Sequence, residues 1–186
     1  MDDFARDPLT PENPWPGLAS FSESERRFFF GRDQETQALL RLVRRETLTV
    51  LHGRSGLGKT SLLNAGLFPL LRDEAWLPVY IRLDHAKDAA PLVQQVFDSL
   101  LAACERAAVR CPPPAPDETL WSYFQRRDVE FWNDRTQLVT PVLVFDQFEE
   151  IFTAARDDEA ARARRPILHR TPRYGSTGAT NKSLVR

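Results

Sequence analysis

The stretch "LTVLHGRSGLGKTSLLNAGL", Leu48–Leu67, decides the fold. An aliphatic, β-branched run opens it and reads as a buried strand, because such side chains fit a pleated, covered surface. The run from Lys59 onward reads as a helix, with Lys, Leu and Ala favouring that state. Between them, Gly53, Gly58, Lys59 and Thr60 satisfy the pattern G-x-x-x-x-G-K-[ST]. Backbone N–H groups of the turn from Gly53 through Arg54, Ser55, Gly56 and Leu57 to Gly58 must curl round an anion. Glycine tolerates the conformations this needs, and Gly53, Gly56 and Gly58 supply them. The helix starts at the loop, so its positive end faces the phosphates. Lys59 is then placed to reach the β- and γ-phosphates, Thr60 to ligate Mg²⁺, and Ser61 to touch an α-phosphate. Chance alone produces the pattern in roughly one chain of this length in 150, and the flanking strand and helix make it rarer.

Working outward, "QETQALLRLVRRE" carries Ala38, Leu39, Leu42 and Val43 at helical spacing, with Asp33 as a cap or first-turn anion. "LPVYIRLD" reads as a second strand. From Ala89 to Arg106 the pairs Leu92/Val93, Val96/Phe97 and Leu100/Leu101 recur as in a helix. "CPPPAPD" is a loop that no helix crosses. Glu118 to Trp132 places Leu120, Phe124 and Phe131 on one helical face. "PVLVF", ending in Asp146, is a third strand without polar alternation, as expected when both sheet faces are covered. Strands alternating with helices predict an α/β fold with a parallel sheet, a P-loop three-layer sandwich with three predicted strands.

A triphosphate loop also needs a carboxylate for the magnesium shell, and the strand-end Asp146 offers it. Gln147 follows. Glu149 and Glu150 come next, either as groups that polarise water or as a solvated first-turn pair. A guanine-type N-K-x-D element is missing, since "NKSL" at Asn181 lacks the Asp.

Composition sets broader bounds. The formal charge of −1 gives no pull toward nucleic acid or anionic membrane. No window approaches the ~20 apolar residues of a membrane span, and the acidic, proline-rich start is no signal peptide; a cytoplasmic location is the expectation. Cys104 and Cys111 show no metal or redox spacing, and Cys104 falls on an apolar helical stripe. Past Arg156 large apolar residues thin out and no strand is evident. Arg162, Arg164, Arg165, Arg170 and Arg173 there lack an aromatic platform or docking motif, so a solvated, disordered end is expected rather than a nucleic-acid arm. The expected divisions are a proline-rich arm (1–20), which Trp15 and Leu18 within it and Phe21 just after it can dock onto the domain, a P-loop domain (21–155) and a basic tail (156–186).

Four separated motifs, "NPWPGLASF", "FFFGRDQE", "LTVLHGRSGLGKTSLLNAGLFPLL" and "PVLVFDQFEEIFT", together resemble the bacterial novel STAND-type NTPases. These stand at the front of long proteins with C-terminal β-propeller repeats or beside protease-like effectors. The resemblance implies an ATP/ADP–Mg²⁺ switch, in which nucleotide exchange permits self-association and slow hydrolysis resets it. It also implies C-terminal sensor or effector domains as partners, and it nominates Phe30, Gly31 and Arg32 beside the adenine. Family members insert a later strand between the P-loop strand and the magnesium strand. No segment here reads as that strand, so the expectation is a truncated or frameshifted chain, or direct pairing of the two strands as in kinase- and GTPase-like folds. A compact phosphotransferase with Glu118–Trp132 as acceptor lid, and an inert fragment that binds relatives through an open sheet edge, are the competing readings.

Overall fold

The computed structural model describes residues 8–86 and 88–151, together with the backbone of 182–185. Helix α1 (Asp33–Arg45) precedes strand β1 (Leu48–Val50). The glycine loop leads into a helical stretch made of α2 (Lys59–Ser61), a π turn (Leu62–Leu67) and α3 (Phe68–Asp73). Strand β2 (Trp76–Arg82), helices α4 (Leu92–Arg106) and α5 (Leu120–Gln125), strand β3 (Thr140–Asp146) and strand β4 (Lys182–Val185) follow.

All three expected strands form, and a fourth joins them. The sheet order is β1-β4-β3-β2, with every neighbouring pair parallel. Strand β4 corrects two expectations at once: that no strand lies beyond Arg156, and that β1 and β3 pair directly if the central slot goes unfilled. "KSLV" has too little apolar pattern to announce itself. Its pairing comes from position, since β1 and β3 both present ladder groups to it, and sheet context outweighs intrinsic propensity. The expected disordered tail is corrected at 182–185; residues 152–181, with Arg162, Arg164, Arg165, Arg170 and Arg173, lie outside the described residues.

Strand periodicity sorts the core into two layers of contact. Leu77, Val79 and Ile81 of β2, with Leu143 and Phe145 of β3, pack against Val96, Phe97, Leu100 and Cys104 of α4 and against Tyr123 of α5. The alternate residues Val142 and Val144 face Leu39, Leu40 and Val43 of α1 and Leu63, Leu67 and Leu71 of the post-loop helix. Helices therefore cover both faces of β2 and β3, as the unbroken apolar reading of β3 implied. Strand β1, expected to be a buried strand, instead buries only Thr49 and leaves Leu48 and Val50 exposed. On α1 the buried stripe is Thr36, Leu39, Leu40 and Val43, and Leu42 turns out to solvent. Of the expected stripe, Leu39 and Val43 are buried, Ala38 is half-buried and Leu42 is exposed, while Leu40 and Thr36 take the places the spacing did not assign.

The segment Glu118–Trp132 is not one helix. Thr119 caps α5 through its Oγ1, which accepts from the Ser122 N–H, but the chain turns extended at Arg126. There the guanidinium binds both Glu118 and Asp128. Phe131 reaches the core from a loop held by antiparallel bridges Arg110–Trp132 and Trp132–Leu138. Of the expected face, Phe131 is buried and Leu120 and Phe124 only partly so, while Tyr123, which that face left out, is fully buried.

Two features shape the helix after the loop. Phe68 N–H reaches back five residues to Leu63 O, a π turn, just before Pro69, which has no N–H to continue the α pattern. Gly66 lies under α1, where an added Cβ would stand 2.7 Å from Thr36 Oγ1 and 3.3 Å from its Cγ2. Thr36 is buried and stiff at χ1, so it cannot swing aside cheaply. Gly66→Ala is expected to cost about 1–3 kcal/mol by overpacking, read as a lower urea midpoint with an unchanged slope; an unchanged midpoint would refute the close approach.

The proline-rich arm docks through Leu9 and Phe21, which pack on Ala65. Phe21 N–H donates to the Ser61 Oγ. Trp15 touches the Phe21 ring edge-on yet stays mostly exposed, and Leu18 is fully exposed. Of the three expected anchors, Phe21 alone is buried.

Candidate functional site

Parallel strands bring their carboxyl ends to one edge, and the sequence-nominated residues gather there. Val50 of β1 and Phe145 of β3 both pair with Val185 of β4. The glycine loop therefore leaves one side of β4, and Asp146 ends β3 on the other. At about 4.8 Å per strand spacing, β4 sets the two roughly 10 Å apart. That gap is set by the intervening strand, not by any local feature of the loop.

In the loop, Gly56 (φ 81°) and Gly58 (φ 72°) are left-handed, and Gly58 is the N-cap residue of α2. Gly53 is not left-handed; its place is close to side chains, with Leu57 Cδ1 3.4 Å from where a Cβ would stand. Lys59 Nζ donates to Gly53 O at 2.8 Å and Arg54 O at 3.0 Å, so the ammonium spans the loop from inside. Ser55 is exposed and Thr60 half-buried. The buried Ser61 hydroxyl accepts from Phe21 N–H, which ties the arm to the first turn after the loop.

Arg32 joins the loop from the α1 side. Its Nη1 donates to Leu57 O at 3.2 Å, and its Nε pairs with Glu35 at 2.8 Å. The structure thus brings the "FFGRD" segment to the loop through Arg32. Gly31 (φ 79°) makes the turn before it, while Phe30 is 78% exposed and unburied by either.

Asp146 is buried, and the Tyr80 hydroxyl of β2 donates to its Oδ2. Sequence reading missed Tyr80, which is 66 residues away; nothing but strand register places it there. Gln147 follows in a left-handed conformation (φ 53°), unusual for a residue with a Cβ, and its buried Oε1 has no hydrogen-bond partner among the described residues. Glu150 N–H donates to Gln147 O, which starts a helical turn, while Glu149 is exposed. The acceptors Asp146, Gln147 and Glu150 therefore sit within five residues at the sheet's carboxyl edge.

A separate cavity of about 500 Å³ opens at the other end of β2, among Trp76, Leu77, Arg72 and Arg106. It lies on the opposite edge of the sheet from Asp146 and belongs to none of the nominated residues. No described helix is long and apolar enough to cross a membrane.

A parallel sheet packed against helices, with a glycine loop and a buried carboxylate at the strand carboxyl ends, defines an α/β protein of the kind that holds ligands at that edge. The particular family follows from comparison: residues 14–179 match Novel STAND NTPase 1, and the chain belongs to that family. No curated protein and no solved structure matches the chain.

Proposed function

We propose that this chain is the ATP/ADP–Mg²⁺-binding module of a STAND-type switch, built as a P-loop three-layer sandwich. The observation that carries the reading is the shared carboxyl edge, with the glycine loop and Asp146 held on either side of β4. Backbone N–H groups from Gly53 to Gly58 cradle the phosphates. Lys59 exchanges its loop carbonyls for the β- and γ-phosphates, a swap that costs little because the ammonium already lies within the loop.

The donor set suits Mg²⁺: a hydroxyl at Thr60 and a carboxylate at Asp146 are the hard oxygen ligands that this ion prefers. When bound, the ion neutralises phosphate charge. Tyr80 holds Asp146 in one orientation through its hydroxyl. Phe30, Gly31 and Arg32 form the adenine side, with Arg32 fixing that segment to the loop. In many ATPases of this class a Glu directly follows the strand-end Asp; here that position is Gln147, so turnover is slow or absent, and Glu150 or Glu149 is left to orient water. Nucleotide exchange then governs self-association and the engagement of C-terminal sensor or effector domains, in a cytoplasmic setting. The alternative of a compact phosphotransferase with Glu118–Trp132 as acceptor lid is less favoured, since Tyr123, Val129 and Phe131 of that segment are packed into the core.

The test is calorimetric titration of the full chain with ATP, with and without Mg²⁺. Magnesium is expected to tighten binding by about tenfold or more, the value of one charge-assisted contact. Asp146→Asn should abolish that gain while leaving metal-free binding intact. Equal magnesium dependence in the variant would remove Asp146 from the site.

A further inference from the structure

Cys104 and Cys111 were unremarkable by spacing, yet the fold sets their Sγ atoms 3.5 Å apart as free thiols. The cause is the end of α4. Val109 N–H donates to Cys104 O and Ala108 N–H to Glu105 O, a Schellman closure with Ala108 left-handed at φ 50°. This reverses the chain, so Cys111 returns over the last turn of the helix that carries Cys104. Pro112 O then accepts from the Tyr123 hydroxyl at 2.7 Å, and Arg110 pairs in both directions with Trp132. Both ends of the reversal are held.

The two thiols differ in surroundings. Cys104 is buried in the core between sheet and helix. Cys111 is half-buried and lines a cavity of about 480 Å³ with Arg110, Pro112, Asp128, Glu130 and Trp132. One sulfur can be reached from solvent, and the other is within reach of the first alone. That is the arrangement of an attacking and a resolving cysteine.

We infer that Cys104 and Cys111 form a reversible intramolecular disulfide by exchange with a low-molecular-weight disulfide, RSSR. The Cys111 thiolate attacks one sulfur of RSSR, breaking its S–S bond, forming Cys111–S–SR and releasing RS⁻. Cys104 then gives up its proton and attacks the Cys111 sulfur, forming the Cys104–Cys111 bond and expelling a second RS⁻. The two protons are taken up by the leaving thiolates, so two protein thiols are oxidised as one RSSR becomes two RSH. A disulfide bond is about 2.05 Å long, so the sulfurs close by roughly 1.5 Å. The bond pins the start of the 110–139 insert to α4, beside the core of β2 and β3.

The ionisation of the pair agrees with this order of events. The hydrogen bond between the two thiols, aided by Tyr123 and opposed by burial, brings the Cys111 thiol down to about 7. The same contact and burial push Cys104 up. The other charged groups at Cys111 are Arg110, Asp128 and Glu130 in the cavity and Arg126 over the Tyr123 ring.

The experiment treats the full native chain with oxidised glutathione and follows intact mass and peptide maps. The expected product has lost two hydrogens, carries a Cys104–Cys111 cross-link and reverts with dithiothreitol. Cys104→Ser should stop at a glutathione adduct on Cys111, and Cys111→Ser should leave Cys104 reacting at least about tenfold more slowly. In the wild-type chain, alkylation of Cys111 by iodoacetamide should rise through about pH 7, and Cys104→Ser should move that midpoint upward. The inference is overturned if the native chain retains both thiols where the urea-unfolded chain cross-links, or if a stable Cys111 adduct accumulates with Cys104 intact.

Discussion

Lys59→Ala is expected to weaken ATP binding by on the order of a hundredfold. The ammonium supplies charge-assisted hydrogen bonds, each of about 1.5–3 kcal/mol, whereas the backbone donors of the loop are neutral N–H groups. Lys59 also holds the carbonyls of Gly53 and Arg54, so its loss frees the loop as well as removing charge. The side chain is only half-buried, and the core beneath it is made by Leu62, Leu63 and Leu67. Folding should therefore survive, with an unfolding midpoint close to wild type. Titration of both proteins with Mg-ATP decides the matter: affinities within threefold of each other would mean that the loop does not grip phosphate through this residue. A lost affinity with an intact fold supports the assignment, and Asp146→Asn then tests the metal side independently.

Tyr123→Ala is expected to destabilise the protein by about 3–5 kcal/mol, in the range of a large aromatic truncation in a packed core. Tyr123 is fully buried, meets Phe97 and Phe124 edge-on at ring distances of 5.2 Å, and donates to Pro112 O. It is the point at which α5 and the loop around Cys111 both attach to α4. For a domain of this size each kcal/mol lowers the melting temperature by about 2–4 °C, so the midpoint should fall by roughly 10 °C. Tyr123→Phe keeps the rings and removes only the hydroxyl, and about 1 kcal/mol should be lost. Equal losses for the two variants would place the energy in the hydrogen bond instead of the packing.

The difference between what could be read and what could not follows the range of the forces involved. Strands β2 and β3 were readable because each is a run of apolar residues whose burial is a property of the run itself. Strand β1 forms where expected, but its Leu48 and Val50 are exposed, so its expected burial did not follow from the run. The glycine loop was readable because its chemistry is local: Gly56 and Gly58 take positive φ, and Lys59 returns to its own loop five and six residues back. The Glu118–Trp132 helix failed because spacing alone does not say which element an aromatic face meets. Here the Arg126 ion pairs and the Arg110–Trp132 bridge outweigh helical continuation after Gln125.

By itself, then, the sequence determined an α/β chain with a glycine loop after its first strand and a carboxylate at the end of its third. Local periodicity and glycine geometry suffice for both. The tertiary structure alone decided that β4 separates them, that Tyr80 meets Asp146, that Arg32 reaches Leu57, and that Cys104 faces Cys111. Each depends on sheet register or on a helix end turning the chain back, and no short window of residues carries the energy that selects such contacts. "KSLV" is the plainest case, because four residues with a lysine and a serine become a strand only where β1 and β3 leave backbone groups to be paired.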